Sequence, residues 1–245
     1  MGLLQQIIST FETTPKTLCM KKAILTLLSL AFYLCSYSQT NGNYNYSIVA
    51  RAFSIIQLPK LLNQTDQPYL NTYFNGAMLK FNDNQISYRL SANYLNKSTS
   101  FNNNCANCEL ADGKTTDYSV KIGFEKSFNY SGIQPYFAMD AGFRSTVFKG
   151  VINNTNPQRV TVSPSSIEGS KNGFVASPVL GIKLNPIPMI SIFAESNLEF
   201  FYSYERQETI ALDASNYRTL NKYYKTEFLL NPVSVGIQIH LGTKD

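Results

Sequence analysis

The chain has no tryptophan, one histidine in 245 residues, and few charges. Lys, Arg, Asp and Glu make up 15% of it, against about 25% in an ordinary soluble domain. It also lacks any long apolar run outside its first forty residues, which excludes a bundle of membrane-spanning helices, each needing about 20 such residues. It is not disordered either, because 44% hydrophobic content is enough to fold a body. What it has in quantity is Tyr and Phe, sixteen of each, and 24 Asn, a residue of turns and wet loops more than of helices.

Two lysines, Lys21 and Lys22, are followed by a mostly apolar stretch to Leu34 and then by Cys35-Ser36-Tyr37-Ser38-Gln39. A charged head, a short apolar middle and a small polar end are the three parts of a secretory signal peptide. We therefore expect 1–19 to be an upstream extension before the true start at Met20, 20–39 to be the leader, cleaved near Ser38 or Gln39, and 40–245 to be one domain. Leu34 occupies the place where a lipoprotein leader wants a small residue, which argues against lipid on Cys35. The cysteines left after cleavage are Cys105 and Cys108, a single CxxC pair. Zinc needs four ligands, so a small loop disulfide in an oxidising compartment is the expectation. The mature chain carries 18 basic and 15 acidic residues, which does not support binding to nucleic acid. No metal, nucleotide or phosphate motif is present, and no cofactor is expected.

From Tyr46 onward the sequence alternates with period two, segment after segment. The spacing predicts eight strands, over Tyr46–Ile56, Tyr69–Phe81, Gln85–Asn96, Thr116–Phe128, Gln134–Lys149, Gly173–Asn185, Met189–Tyr204 and Tyr223–Leu241. Short joints at Asn82–Asn84, Asn129–Ile133 and Pro186–Pro188 alternate with long polar stretches at 97–115, 150–172 and 205–222, read here as loops. Short turns at one end and long loops at the other are the plan of a transmembrane β-barrel. Parity requires an outward strand before Tyr69, and Tyr46–Ile56 is the candidate. Its apolar residues Ile55, Ile56, Leu58, Leu61 and Leu62 also suit one face of an interfacial helix around Pro59, so both readings stand.

Each strand has a face of charges and small polar residues opposite its apolar face, as in Tyr118, Val120, Ile122 and Phe124 against Asp117, Ser119, Lys121, Gly123 and Glu125. In a soluble sandwich the apolar face goes inside; in a membrane barrel it faces lipid. Two features favour the second. Ten charges assigned to the inner face nearly balance: Arg51, Lys80, Arg89, Lys121, Arg144 and Lys183 against Glu125, Asp140, Glu195 and Glu199. Aromatic residues also gather at strand ends, at Tyr69, Tyr73, Phe81, Tyr88, Tyr94, Phe128, Tyr136, Phe148, Tyr202, Tyr204, Tyr223 and Tyr224, where interfacial girdles would lie.

With these features the chain, over roughly Thr40 to Leu241, resembles the small eight-stranded outer-membrane β-barrel proteins of Gram-negative bacteria, the outer membrane protein beta-barrel domain or porin-like group. The resemblance rests on the leader ending in Gln39, the Asn75–Phe81 and Ser177–Lys183 strands, and the last strand. There Ser234, Gly236, Ile239 and Leu241 look like the C-terminal assembly signal of that group. The chain departs from the pattern in closing the signal with Leu241 where an aromatic residue is usual. The resemblance implies an all-β, closed, antiparallel transmembrane barrel in the outer membrane. It further implies outer-membrane lipid and the barrel assembly machinery as partners.

An eight-stranded barrel is just wide enough for side chains to fill, so the ten charges are expected to form a salt-bridged plug. Function is then expected to be structural, or to lie in extracellular loops that contact an unknown ligand. The alternatives are a narrow channel for small solutes and a soluble, lipocalin-type barrel. Enzymatic chemistry is not expected, because the one histidine, His240, lies at the periplasmic rim with no nucleophile at the outer rim in reach.

Overall fold

The computed structural model describes residues 44–65, 67, 69–83, 85–103, 109–128, 132–155 and 161–243. The leader and the Cys105/Cys108 pair lie outside the described residues. Eight strands follow one another: β1 (Tyr44–Gln57), β2 (Tyr69–Asp83), β3 (Ile86–Asn103), β4 (Glu109–Ser127), β5 (Ile133–Thr155), β6 (Thr161–Ile187), β7 (Ile190–Ala211) and β8 (Arg218–Thr243). Each pairs antiparallel with its neighbour in sequence, and β1 pairs with β8, so the sheet closes on itself. Closure gives every strand a neighbour on each side, so no strand is an edge strand of the sheet.

Alternation places the two faces. Ile122, Phe124, Leu180, Ile182, Ile237 and Ile239 point outward and are exposed, while Lys80, Arg89, Lys121, Glu125 and Ser177 point inward and are buried. This is the reverse of a soluble barrel with an apolar interior, and it removes the ground for the lipocalin-type reading. A register shift between Arg51 and Phe53, shared by both ladders of β1, moves the inward series from Ser47, Val49 and Arg51 to Ser54. A bulge changes parity in this way because one extra residue opposes the partner strand.

One open reading resolves and two expectations need correcting. The segment Tyr46–Ile56 lies within strand β1 and not in an interfacial helix. The stretches 97–115, 150–172 and 205–222 are mostly strand: β3 runs to Asn103, β6 starts at Thr161 and β7 runs to Ala211. Only 104–108 separate β3 from β4, 156–160 β5 from β6, and 212–217 β7 from β8. A strand crossing of a membrane takes about 9–11 residues, and β5 with 23, β6 with 27 and β8 with 26 are much longer than that. Polar residues on both faces, such as Ser98, Thr99, Ser100 and Asn102, had hidden these extensions. Finally, Tyr136 and Phe148 belong to no girdle. They point inward and are 1% and 0% exposed, whereas Tyr73, Tyr94, Phe128 and Tyr202 do lie outside.

β1 and β2 are the short side of the barrel, with 14 and 15 residues. Their connection folds into the outer mouth instead of standing above it. Leu61 and Leu62, each 2% exposed, pack with Ala111, Phe148, Ile152 and Ile167 of the tall strands. The mouth thus holds a small apolar core of its own, closed by the 58–65 segment.

Candidate functional site: the filled lumen

The described interior is layered along the barrel axis. At the end where the connections between strands are shortest, His240 stands between Ser47, whose Oγ is 3.1 Å from Nδ1, and Ser191, whose Oγ is 2.7 Å from Nε2. Ser191 donates to Asn185 Oδ1 at 2.5 Å, so it receives the Nε2 proton, and Nδ1 accepts from Ser47. His240 is held by hydroxyls at both nitrogens.

The next layer centres on Glu125, which is fully buried. Its carboxylate meets Lys183 at 2.5 Å, Lys80 at 2.7 Å and Arg89 at 3.4 Å. Arg89 in turn reaches Asp140 at 3.1 Å and Glu195 at 3.4 Å, and Glu195 is held by Arg51 at 2.6 Å. Seven strands, β1 to β7, deliver one of these groups each, and Lys80, Arg89, Gly123 and Asp140 are register partners in turn around the sheet. The bare Gly123 leaves the space that the Asp140 carboxylate occupies, with Oδ1 2.3 Å from where a Cβ would lie.

Tyr136 fills the same level. Its hydroxyl donates to Glu195 Oε2 at 3.0 Å, and its ring lies 5.1 Å from Lys183 Nζ and 5.6 Å from Lys80 Nζ. The ring sits over Gly181, where any Cβ would come within 2.2 Å of Tyr136 Cζ. Gly181→Val is therefore expected to expel the ring and cost about 1–3 kcal/mol of stability. The readout is the denaturant midpoint of the folded barrel in lipid vesicles; a midpoint equal to wild type would refute the fit.

Above this, Arg144 joins Asp117 at 2.9 Å and Glu199 at 2.6 Å, and Glu199 also pairs with Lys121. At the top, Lys171 pairs with Glu227 and, at 3.4 Å, with Glu205. Lys225 reaches Glu205 at 3.2 Å. This uppermost cluster grips the inserted segment by its backbone: Glu205 Oε1 accepts from Leu62 N at 3.1 Å, and Glu227 Oε1 accepts from Lys60 N at 3.0 Å. Lys225 Nζ donates to Leu62 O at 3.3 Å.

All ten residues chosen from the sequence lie in this lumen and are buried. Sequence reasoning passed over Asp117, Lys171, Glu205 and Glu227. Asp117 stood in the same odd-numbered series as Lys121 and Glu125. Lys171 continues the inward series of β6, and Glu205 that of β7, beyond the point where the strands were expected to end. Of the last-strand residues, Ser234 and Gly236 face inward, with Ser234 Oγ donating to Ser54 Oγ at 3.0 Å, while Ile239 and Leu241 lie on the outer face. Among the described residues no group of three His, Cys, Asp or Glu is arranged to hold a metal ion.

No family model and no curated protein matches the chain. Among solved structures it is similar to the crystal structure of a major outer membrane protein from Thermus thermophilus. The two share 8% identity, with a TM-score of 0.50 over 80% of this chain and 99% of that one. The likeness is one of fold. Eight antiparallel strands in a closed ring, without a helix among the described residues, are the architecture of a small outer-membrane β-barrel.

Proposed function

We propose that the protein is exported to the bacterial outer membrane and acts there as a sealed barrel, with a structural or surface-interaction role carried by its outer end. The observation that supports this reading is the filling of the lumen: stacked ion-pair layers from Lys183 to Lys171, topped by the apolar core around Leu61 and Leu62. A solute would have to break several buried ion pairs in series, each lying in surroundings where an unpaired charge is costly.

Lipid is the partner of the outward apolar face, and the assembly machinery that of the last strand through Ser234, Gly236, Ile239 and Leu241. We assign the surface role to the extended hairpins. Beyond the apolar band these hairpins present mixed charges, including the exposed pairs Lys149–Glu168 at 3.0 Å and Arg218–Glu208 at 2.7 Å. Rigid, polar, protruding sheet is a suitable platform for contact with a ligand outside the cell.

Planar-bilayer recording of the purified barrel tests the sealed lumen. The expected result is a silent trace, and steady ohmic openings would overturn it in favour of the narrow-channel reading. Fractionation of cells provides the complementary test of place. The protein should be recovered with outer membranes in a form whose gel mobility changes on heating, and recovery in the soluble fraction would overturn the membrane assignment.

A further inference from the structure

One joint of the barrel is incomplete. The β2–β3 ladder has eight register pairs and stops at Gly76 with Asn93, although both strands continue outward from there. The ladders on either side do not stop: β1–β2 runs to Gln57 with Tyr69, and β3–β4 runs through eighteen pairs to Asn103 with Glu109. The facing edges of β2 above Gly76 and β3 above Asn93 therefore frame a window in the wall. Its lower sill is Gly76 and Asn93, and its lintel is the inserted segment, where Gln64 bridges to Asn103 and Thr65 N donates to Asn102 O at 3.2 Å. Between them, Lys97 Nζ reaches across to Asn71 O at 3.3 Å.

The window lies at the upper edge of the apolar band. The outward series of β3 is Ile86, Tyr88, Leu90, Ala92 and Tyr94, then Asn96 and Ser98. On the β2 lip, Tyr73 and Phe74 are 71% and 81% exposed, and Phe74 adopts the left-handed conformation at φ 48° that turns the strand. Open sheet edges do not persist against hydrocarbon unless something satisfies or covers them.

What lies behind the window is amphipathic. Its outer part is a cleft of about 200 Å³ walled by Leu58, Pro59, Leu61, Leu70 and Phe101. Such a volume is below the ~300–1,000 Å³ of sites for whole drug-sized ligands, and so suits a single short chain. Its inner part is polar, lined by Arg51, Asn93, Asp117, Lys121, Arg144 and Glu199. On β4 the wall passes from Asp117 to Thr115, and on β3 from Leu95 to Ser98, so the two parts adjoin along one opening.

Charge selects the occupant. Around the two inner ion-pair layers, six cations (Arg51, Lys80, Arg89, Lys121, Arg144 and Lys183) face five carboxylates (Asp117, Glu125, Asp140, Glu195 and Glu199). One positive charge is left over in this buried interior, where an uncompensated charge is costly. Arg51 lines the polar part; its Nη2 pairs with Glu195 and its Nη1 donates to Asn93, while its buried Nε has no hydrogen-bond partner. We propose that this window is a lateral binding site for a single-chain amphiphile with a carboxylate head. The head would sit at Arg51, and the alkyl tail would lie against Leu61, Leu70 and Phe101. Arg is well suited to a carboxylate through charge-assisted hydrogen bonds. The mouth is closed by the 58–65 segment, so the route of entry is sideways, from the outer leaflet.

The absence of tryptophan makes a clean test possible. Phe101→Trp places a single reporter in the cleft, and Ile239→Trp places one on the lipid-facing wall near the other end. The barrel is reconstituted in nanodiscs of zwitterionic lipid at mildly alkaline pH and titrated with an ω-brominated medium-chain fatty acid, whose bromine quenches tryptophan. The expected result is saturable quenching in Phe101→Trp, competed by the unbrominated acid, with the matching ω-bromo alcohol binding about tenfold more weakly, equivalent to ~1.4 kcal/mol. Ile239→Trp should be quenched only in proportion to bilayer loading. Non-saturable quenching at both positions, or equal binding of acid and alcohol, would overturn the proposal. Should Phe101→Trp fail to assemble, Leu70→Trp reports on the same cleft from its opposite wall.

Discussion

Glu125→Gln is expected to cost the folded barrel about 3–5 kcal/mol, the range for removing one partner of a buried ion pair. The carboxylate is fully buried and answers three cations at once, Lys183, Lys80 and Arg89. Of these, Arg89 keeps Asp140 and Glu195. Lys80 is left with the neutral Gln238 Oε1 at 3.0 Å, and Lys183 with Ser127 Oγ at 3.2 Å. Both ammonium groups would then share the ring of Tyr136 with no counter-charge of their own. The glutamine keeps size and shape, so the loss measures charge and not packing. Equilibrium denaturation in lipid vesicles, read by gel mobility, gives the number. Glu168→Gln serves as the comparison, since its pair with Lys149 is exposed on both sides and such pairs contribute about 0–1 kcal/mol. Equal midpoints for the two variants would show that the Glu125 layer is not held by these ion pairs. A further check is Lys183→Met in the Glu125→Gln background, which should recover part of the loss because the two groups are coupled.

How far the sequence reveals this layer follows from the period-two rule. Lys80, Arg89, Glu125, Asp140 and Glu195 each stand opposite an apolar face within their own strand, and that alone assigns them to one side of a sheet. Which of them meet was not legible, because contact depends on register between strands and on the space left by Gly123 and Gly181. The pattern also fades where both faces are wet. Toward the mouth of the barrel, Ser98 to Asn102 shows no apolar stripe to mark strand from loop, and the inward Lys171 and Glu205 were lost with the strands that carry them. The connection after β1 failed for a different reason. Leu58, Leu61 and Leu62 read, with Ile55 and Ile56, as one face of an interfacial helix around Pro59; instead Ile55 and Ile56 lie in strand β1, and Leu61 and Leu62 plug the mouth. The partners that make it a plug, Phe148, Ile152 and Ile167, lie more than eighty residues away in sequence. Likewise, the early end of the β2–β3 ladder has no single-residue signature beyond the left-handed Phe74.

The plug yields the second large effect. Leu61→Asp with Leu62→Asp is expected to drive the 58–65 segment out of the mouth while leaving the barrel closed. Each leucine is 2% exposed, and losing a buried leucine costs about 2–5 kcal/mol before any charge is counted. The new carboxylate at 62 would also stand beside Glu205, which accepts from the backbone nitrogen of Leu62 at 3.1 Å. Like charge at that place opposes the grip that Glu205, Glu227 and Lys225 exert on the segment. The strand ladders have no such dependence: β1 pairs with β8 from Tyr44 to Ile55 through its own backbone, well below the inserted residues. Hydrogen exchange separates the two outcomes. Protection at Leu62 N should be lost in the variant, with protection of the β1–β8 ladder and heat-modifiable mobility retained. If Leu62 N stays protected, the grip comes from the backbone hydrogen bonds alone and the apolar core around Phe148 contributes little. If the whole barrel fails to close, the segment is part of the route by which β1 finds β8 and not merely a cover over a finished barrel. The variant also bears on the sealed lumen, since the ion-pair layers around Glu199 and Glu125 lie below the plug. They should keep the bilayer trace silent even with the mouth open, because a path for ions has to pass Arg89 and Arg144 as well as Leu61.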